Sequence, residues 1–349
     1  MYKLKLQDYD DGIEVVKDFI NKLPNELIPE YVIQNGHIKN PGVSDIDLIF
    51  VFNDDFLQSS YFLFLFQEKI KNLKNKSIFF HHMPHIFPAS SIYDLPYMTY
   101  NPTSELKFLK GSINFTSENL NEHQNILNSF EQIHNRIVML IDLNLKQQKE
   151  KNSLLLVGHS LINSINSLKL IGANFNKEDF KNLNLIESMR QSISEGLPTK
   201  DFDFSDICNG LIREFFIILH WLNFKIERKI LIHFNKNIST HHYCNNIYFT
   251  NLNKKNAAPK YSLSNGKILI EGFNWQTNCI YENYFKNISD YKSIFIDKLF
   301  LKEINKRKIF IKKLVKFNFN NFNSATGRSG LHPLIRKERY TWSAREAFI

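Results

Sequence analysis

Two apolar segments joined by a short polar turn constrain the fold of this chain more than any other feature of its sequence. Residues 31–52 read YVIQNGHIKNPGVSDIDLIFVF. Short apolar runs bounded by Gly, Pro and Asn are typical of β-strands, so strands are predicted over 30–35 and 45–52. Asp45 and Asp47 open the second strand, and side chains at i and i+2 of a strand point to the same face. We therefore expect two carboxylates on one side of a buried strand.

The residues around this aspartate pair supply the other groups that phosphate chemistry needs. Two carboxylates at this separation repel each other, and sharing a divalent cation makes their proximity favourable. Mg²⁺ is typically held by one or two carboxylates together with phosphate oxygens. Upstream, Gly36 ends the first strand and allows a phosphate to approach backbone N–H groups, and Gly42 and Ser44 turn the chain toward the aspartates. The segment therefore predicts a site for Mg²⁺ and a nucleoside triphosphate.

The order of these elements resembles the signature of the DNA polymerase beta-like nucleotidyltransferase superfamily. In that pattern an apolar strand is followed by Gly-[Gly/Ser], a short loop, Gly-x-Ser-Asp-x-Asp and a second apolar strand, which NGHIKNPGVSDIDLIFVF matches over most of its length. The resemblance implies that Asp45 and Asp47 hold Mg²⁺ and take part in transferring a nucleoside monophosphate from a triphosphate to an acceptor hydroxyl, with release of pyrophosphate. The residues that it assigns to the triphosphate site are Gly36, His37, Gly42 and Ser44. His37 stands where the family has a serine, and its imidazole can donate a hydrogen bond to a phosphate.

The family's third carboxylate, which comes from a later strand, has no evident counterpart in the sequence. The next β-like run, SIFFHHMPHIF over residues 77–87, contains three histidines and no acid. The nearest acids are Asp94 and Glu105, of which we take Asp94 as the catalytic candidate. His81 or His82 could replace the acid as general base for the acceptor hydroxyl. The third catalytic position is therefore an open prediction.

Helical and strand periods divide the chain into a sheet region and a helical region. Apolar residues at helical spacing predict helices over 11–22 and 56–74, beside the predicted strands. Four amphipathic segments follow, separated by Gly, Pro or Asn-rich joints such as 196–198, and they predict a helical bundle over roughly 116–233. The motif VGHSL around His159 lacks the second glycine of a hydrolase nucleophile elbow and lies in one of these segments, so a helix interior is predicted there.

The remaining chain predicts a small third region. Residues 240–285 alternate like strands, with Asn265-Gly266 as a turn, and a basic amphipathic helix is predicted over 294–316. We expect an α/β (α+β) fold in which a nucleotidyltransferase-type mixed sheet with helices precedes a helical bundle and a small C-terminal α/β module. The predicted boundaries are 1–115 for the nucleotidyltransferase-like domain, 116–235 for the helical domain, 236–320 for the C-terminal strand and helix module, and 321–349 for a basic, loosely ordered tail.

The positive charge of the chain is concentrated toward its C-terminus. Residues 298–349 hold 13 of the 44 Lys and Arg residues but only three of the 35 Asp and Glu residues, and the net charge of the whole chain is +9. The other residues are close to neutral, which favours a small molecule or a glycan precursor over a long nucleic acid as acceptor. The basic helix either docks on the body with a solvated lysine face or binds RNA or an anionic membrane surface.

Cysteine usage and hydropathy are typical of a soluble intracellular protein. Cys208, Cys244 and Cys279 are far apart, which argues against a disulfide framework or a zinc site. Acidic residues within the first dozen positions argue against a signal peptide, and no run of about 18 apolar residues predicts a membrane span. We therefore expect a cytoplasmic protein without a transmembrane segment.

The predicted function is Mg²⁺-dependent nucleotidyl transfer from a nucleoside triphosphate to a hydroxyl of a small molecule or glycan precursor. Two alternatives stay open on the sequence alone. One is a catalytically silent member of the superfamily that binds a nucleotide or a partner protein. The other is a template-independent RNA nucleotidyltransferase, in which the basic C-terminus holds the RNA.

Overall fold

The structure, a computed structural model, describes residues 4–80, 83–95, 105–115, 121–145, 151–198, 202–228, 230–234, 240–244, 247–250, 260–264, 267–271 and 291–322. The α-helices in this part of the chain are α1 (Leu6–Asn21), α2 (Ser59–Ile70), α3 (Lys76–Phe79), α4 (Glu122–Leu145), α5 (Lys151–Lys169), α6 (Lys181–Glu195), α7 (Phe204–Glu227) and α8 (Lys298–Phe322). The β-strands are β1 (Tyr31–Asn35), β2 (Asp47–Phe52), β3 (His85–Pro88), β4 (Leu106–Lys110), β5 (Ile230–Phe234), β6 (Thr240–Cys244), β7 (Ile247–Thr250), β8 (Lys260–Ser264), β9 (Lys267–Glu271) and β10 (Tyr291–Ile296).

The first strands of the chain form a mixed sheet in the order β3-β2-β1-β4. β1 is antiparallel to β2 and β4, whereas β2 and β3 are parallel. Asn35 at the end of β1 lies opposite Asp47 at the start of β2, and also pairs with Leu106 at the start of β4. These strand ends therefore meet at one end of the sheet, which we call the aspartate end. The predicted α+β class, a mixed sheet with helices, is confirmed.

Both faces of the sheet are buried, which explains why β2 reads as an uninterrupted apolar run. Leu48, Phe50 and Phe52 pack in one cluster with α1 and α2, whereas Ile49 and Val51 pack in a second cluster with α4 to α7. Successive side chains of a strand alternate between the two faces, so a strand that is covered on both sides needs apolar residues at every position. The sheet is thus the middle layer between two sets of helices.

Helix α1 covers its face of the sheet with an apolar stripe. Tyr9, Ile13 and Val16 recur at helical spacing and are all buried. Behind them, the ring of Phe62 on α2 lies 4.9 Å from the ring of Phe50 on β2 in an edge-on arrangement. Such an aromatic pair adds about 0.5–1.5 kcal/mol to the stability gained from burial.

The helices α4 to α7 pack into a bundle whose core continues into the sheet. Buried residues of this shared core include Leu140, Leu155, Ile186 and Leu211 of the helices, with Ile33 and Ile49 of the sheet. Helix α6 ends where Gly196 adopts a φ of 72°, in the left-handed region that glycine occupies without strain. This confirms the predicted joint at 196–198. The motif VGHSL lies inside α5, so the predicted helix interior is confirmed as well.

Helix α8 docks on this body through one apolar face. Its buried residues Phe300, Ile304, Phe310 and Leu314 join the bundle core, and Phe317 joins the cluster under α1 and α2. Near the end of the helix, Asn321 donates to the carbonyl of Phe56 at 2.9 Å and accepts the N–H of Ser59 at 3.2 Å. The exposed face carries lysines, namely Lys298, Lys302, Lys306, Lys312 and Lys316. Helix α8 is therefore docked on the body through its apolar face and leaves a lysine face exposed to solvent.

The chain between α7 and α8 contains two further sheets. β5 pairs with β10, and a second sheet has the order β6-β7-β9-β8. β8 and β9 are antiparallel with Ser264 opposite Lys267, which is the register of the predicted hairpin, although Asn265-Gly266 itself lies outside the described residues. Among the helices that the structure describes, none is both long and apolar enough to cross a membrane.

Some local predictions were wrong. Helix α1 begins at Leu6, five residues before its predicted start, and β4 was not predicted. The predicted β-like run over 77–87 is a helical turn, α3, followed by β3. A short apolar run can be buried in either conformation, and here Phe79 and Phe80 fill the space under α1 as part of a turn rather than a strand.

Candidate functional site

The two aspartates lie at the aspartate end of the sheet, on the face that the helical bundle covers. Asp47 opens β2, and Asp45 precedes it by two residues. Between them, Ile46 is 2% exposed, packs in the cluster under α1 and donates its N–H to the carbonyl of Phe79 at 2.7 Å. Because side chains alternate and Ile49 faces the bundle, Asp45 and Asp47 face the bundle too, and both are half-buried. The structure thus brings the two carboxylates together on one face.

A histidine lies diagonally across from Asp47 on the neighbouring strand. His85 opens β3 beside Ile49 in the parallel register, and Phe87, two residues later, packs in the bundle core. The imidazole of His85 therefore lies on the same face as Asp47, with its ring centroid 6.3 Å from that of Phe87. His81 and His82 lie outside the described residues.

The loop between β1 and β2 is closed by hydrogen bonds within the protein. Gly36, with a φ of 80°, donates its N–H to the carbonyl of Glu105 at 3.0 Å, and Gly42, with a φ of 89°, donates its N–H to the hydroxyl of Tyr9 at 2.8 Å. Both φ values lie in the left-handed region that favours glycine. The backbone N–H groups of these two glycines are therefore engaged within the protein, so a phosphate at this loop would take its donors from other residues.

Ser44 and His37, the other residues predicted to line the triphosphate, lie differently in this loop. The Ser44 side chain is buried, its hydroxyl accepts the N–H of Asn40 at 3.2 Å, and its own N–H donates to the Asn40 carbonyl at 2.8 Å. His37 is exposed to solvent. Ser44 therefore stabilises the turn that leads into Asp45, whereas His37 is accessible from outside.

Tyr9 of α1 holds this turn, and sequence reasoning missed it. Its hydroxyl donates to the carbonyl of Ser44 at 2.7 Å and accepts the N–H of Gly42 at 2.8 Å, so one side chain brackets the turn. Tyr9 is 1% exposed, and its ring lies 4.7 Å from that of Phe79. Burial raises the pKa of Tyr9, and the charge of Asp45 raises it further. The phenol therefore stays protonated and keeps both hydrogen bonds.

Helix α6 passes over the same loop and brings a buried arginine toward the aspartates. A Cβ atom added at Gly42 would lie 3.9 Å from Ile193 Cγ2, which indicates how closely the helix approaches. One turn before Ile193, Arg190 is 2% exposed. Burial lowers the pKa of Arg190, whereas the charges of Glu187 and Asp45 raise it. The guanidinium is therefore within electrostatic reach of Asp45 from the side of the bundle.

The carboxylate of Glu187 lies between this arginine and a histidine. Its Oε1 atom is 2.7 Å from His159 Nδ1 on α5 and 3.9 Å from Arg190 Nε on α6. The longer separation exceeds the length of a hydrogen bond. Glu187 is therefore bound to His159 and leaves Arg190 incompletely paired.

A buried carboxylate from α7 fixes the start of helix α6. Glu214, which is 4% exposed, accepts the backbone N–H groups of Asn182 at 2.6 Å and Leu183 at 2.9 Å. These are N–H groups of the first helical turn, which have no partner inside the helix, and a negative charge there is favourable. Burial raises the pKa of Glu214, and the hydrogen bonds from Asn182 and Leu183 oppose that change. Glu214 thus holds the helix that carries Arg190.

Asp94 lies at the other end of the sheet from the aspartate pair. It follows β3 in a 3-10 turn, and β3 runs in the same direction as β2. Asp94 therefore follows the strand end beside Phe52, which is about 16 Å from Asp47 along β2. Its carboxylate lies 3.8 Å from Lys313 Nζ on α8. The structure does not bring Asp94 to the aspartate pair, so we do not retain the sequence-based assignment of Asp94 as the third catalytic carboxylate.

Glu105, the other acid considered for that role, lies at the aspartate end. Its carbonyl accepts the N–H of Gly36, and the next residue along the chain opens β4. β1 separates β4 from β2, so Glu105 is two strands away from Asp47. On β3, which is directly beside β2, the titratable side chain is His85.

The donor set at the aspartate end fits Mg²⁺ better than zinc. Within the described ranges, no group of three or more His, Cys, Asp or Glu side chains is placed to hold a metal ion. Asp45 and Asp47 supply two carboxylates, and Mg²⁺ takes its remaining ligands from water and phosphate oxygens. Structural zinc needs four protein ligands. Mg²⁺ at this site would therefore complete its coordination with water or phosphate oxygens.

The residues that sequence reasoning missed share a signal. Each is a polar residue at a core position of an apolar helical stripe. Tyr9 takes such a position on α1, Arg190 on α6 between Ile186 and Ile193, and Glu214 on α7 between Leu211 and Ile218. A buried polar group needs a partner, so a polar residue in an apolar stripe indicates a specific contact.

No protein-family model, curated protein sequence or solved structure matches this chain. The chemistry of the site is therefore inferred from its own residues and their arrangement.

Proposed function

We propose that this protein is a Mg²⁺-dependent nucleotidyltransferase of the DNA polymerase beta-like type. It transfers a nucleoside monophosphate from a nucleoside triphosphate to a hydroxyl of a small molecule or glycan precursor and releases pyrophosphate. One observation carries the proposal: Asp45 and Asp47, both half-buried, lie on one face at the end of a mixed sheet. The glycine-containing loop between the antiparallel strands β1 and β2 leads directly into this pair.

The aspartate pair and its supports have distinct roles in this proposal. Asp45 and Asp47 would hold Mg²⁺, which when bound supplies positive charge that stabilises the charge developing on the transferred phosphoryl group. Tyr9 fixes the turn before Asp45 and so keeps the spacing of the two carboxylates. Partial burial reduces screening by water and strengthens the attraction of the carboxylates for cations.

His85 is the residue that we assign to the proton of the acceptor hydroxyl. It lies on the strand next to Asp47 and on the same face. A neutral imidazole accepts a proton near neutral pH, so His85 can take the proton as the acceptor oxygen forms its bond to phosphorus and pyrophosphate leaves. His85 thus has the role of general base. The sequence suggested Asp94 as the third catalytic residue, or His81 or His82 as the base.

Pyrophosphate release tests the proposal. The full chain is incubated with each nucleoside triphosphate, with and without Mg²⁺, and with sugars, aminoglycosides and short RNA as acceptors. We expect Mg²⁺-dependent release with one class of small acceptor, and its loss in Asp45→Asn and Asp47→Asn. Asp10→Asn, at an exposed aspartate of α1, is the matched control and keeps the activity. If no triphosphate is bound or turned over and the aspartate variants behave like the wild type, the proposal is wrong.

A catalytically silent nucleotide-binding module is the second candidate, and the closed loop favours it. The N–H groups of Gly36 and Gly42 already bond to Glu105 and Tyr9, so these two glycines do not donate to a phosphate in this arrangement. A thermal-shift screen of the triphosphates separates the two functions, since a ligand of the native state raises its apparent stability. Binding without pyrophosphate release for any acceptor would favour the silent module.

An RNA acceptor is favoured by one surface, the exposed lysine face of α8. Because α8 also supplies core residues, deleting the helix would disturb the fold. RNA binding by its lysine face is therefore tested by removing charges and not by deletion. Lys302, Lys312 and Lys316 are exposed, and their combined change to Gln lowers RNA affinity and its salt dependence if this face holds RNA. RNA binding that does not change in this variant counts against the RNA enzyme.

A further inference from the structure

Arg190 is a buried cation whose hydrogen-bonding capacity is largely unused. Its Nε and Nη1 atoms are buried and have no hydrogen-bond partner in the part of the chain that the structure describes. A guanidinium carries five N–H donors and stays charged in proteins. Burying a charge without partners is unfavourable. This arrangement indicates a site for an anion.

The nearby carboxylates do not use these donors. Glu187 Oε1 is bound to His159 Nδ1 at 2.7 Å and lies 3.9 Å from Arg190 Nε. Asp45 acts on Arg190 through its charge, and Nε and Nη1 of Arg190 have no hydrogen-bond partner among the described residues. Burial lowers the pKa of Arg190 despite these negative charges.

The packing of helix α6 brings the unpaired donors of Arg190 toward the aspartate pair. Helix α6 approaches the loop between β1 and β2 closely enough that Ile193 would contact a side chain added at Gly42. The loop's own donors at Gly36 and Gly42 are engaged within the protein. Arg190 is thus a buried donor on the bundle side of this end of the sheet, close to a loop whose two glycine N–H groups are engaged within the protein.

We infer that Arg190 is a phosphate-binding residue of the aspartate end, and that its ligand is a polyphosphate: the triphosphate of the nucleotide before transfer and pyrophosphate after it. The identity of the ligand rests on the proposed function, whereas the anion site rests on Arg190 itself. A guanidinium binds phosphate oxygens in a bidentate manner, which an ammonium group does not reproduce. The helical bundle therefore supplies the cation and the sheet supplies the carboxylates of one site.

Binding of inorganic tripolyphosphate and pyrophosphate tests this inference without turnover. Affinity for the full chain is measured by calorimetry with and without Mg²⁺, for the wild type, Arg190→Gln and Arg190→Lys. Since hydrogen bonds to charged groups are strong, we expect Arg190→Gln to weaken tripolyphosphate binding by about tenfold or more. Arg213→Gln makes the same change at an exposed arginine of α7 and leaves the affinity unchanged.

The outcomes distinguish this inference from the proposed function. If Asp45→Asn and Asp47→Asn abolish Mg²⁺-dependent binding while both Arg190 variants bind like the wild type, the role of Arg190 is wrong and the enzyme proposal stands. If binding needs Arg190 but neither Mg²⁺ nor the aspartates, the anion site stands and the nucleotidyltransferase proposal fails. If the wild type binds no polyphosphate, the inference fails outright. Arg190→Lys keeps the charge, so it provides the comparison if Arg190→Gln does not fold.

Discussion

Glu214 accepts two hydrogen bonds from Asn182, one from the backbone N–H at 2.6 Å and one from the side-chain amide at 2.8 Å. The contact joins the middle of α7 to the first turn of α6. Gly210, one turn before Glu214, makes room for it, because a Cβ atom at Gly210 would lie 2.2 Å from Asn182 Nδ2. Arg190 follows two turns later on α6, so the position of its guanidinium depends on this contact.

Replacing Glu214 with alanine should destabilise the fold and weaken the anion site. The change leaves the first-turn N–H groups of α6 without their buried acceptor, and we expect a loss of about 2–3 kcal/mol in the free energy of unfolding, measured by urea denaturation. Glu195→Ala, at an exposed glutamate near the other end of α6, should stay within about 0.5 kcal/mol of the wild type. Equal stability of the two variants would contradict the capping role of Glu214.

Replacing Tyr9 with phenylalanine should loosen the aspartate pair. The variant keeps the ring but leaves the N–H of Gly42 and the carbonyl of Ser44 without their shared partner. We expect the free energy of unfolding to fall by about 1–3 kcal/mol and Mg²⁺-dependent nucleotide binding to weaken. Tyr61→Phe, at a tyrosine that is 53% exposed, is the matched control and should change neither quantity. Nucleotide binding that is retained in full would show that the turn is not needed to position Asp45.

Asp94→Asn should change the pH dependence of stability and leave activity intact. Burial raises the pKa of Asp94 above its ordinary value of 3.8, against the charges of Lys313 and Lys306. The folded protein therefore binds this proton more readily than the unfolded chain, so the stability that Asp94 contributes is present below its unfolded pKa and is lost as the pH rises through the folded pKa. Relative to Asp94→Asn, the wild type should lose stability as the pH rises from about 3.8 toward neutrality.

Urea denaturation across this pH range measures the effect of Asp94, and pyrophosphate release measures the activity of the same variant. Parallel pH profiles for the wild type and the variant would contradict the pKa direction. Loss of the proposed pyrophosphate release in a folded variant would restore Asp94 as a candidate catalytic residue.

A double-mutant cycle should detect strong coupling between Arg307 of α8 and Asn128 of α4. Arg307 is fully buried, and its Nη2 atom donates to the Asn128 side chain and to the carbonyl of Gln124 at 3.4 Å. Asn128→Leu removes one hydrogen-bond acceptor of a buried cation, so we expect a loss of about 1.5–3 kcal/mol in the free energy of unfolding. Adding Arg307→Met should recover part of that loss. Additive effects of the two changes would contradict the coupling.

The features of the site that depend only on residues close together in the sequence could be predicted. Asp45 and Asp47 share a face because alternation is a local property of extended chain, and the apolar run behind them indicated a buried strand. Arg190 could not be assigned to the same place, because only the packing of α6 on the loop brings it there. Its position in an apolar stripe indicated burial but not the partner.

Asp94 illustrates how closeness in the sequence can mislead. It comes soon after β3, but a strand carries the chain along its length, and β3 runs away from the aspartate end. Gly36 and Gly42 show a related limit. Their φ values follow from the turn that the sequence indicated, whereas their hydrogen-bond partners, Glu105 and Tyr9, come from other elements.

The contact between α6 and the loop before β2 has a consequence for how this protein could be divided. A fragment of residues 1–115 would keep both aspartates, yet it would expose Ile33, Ile49 and Val51 to water and would lack Arg190. The complementary fragment would hold the guanidinium without the carboxylates. If the proposed nucleotidyl transfer needs both groups, a gene split at this boundary should encode two halves that lack it, and the activity should appear only when the halves associate.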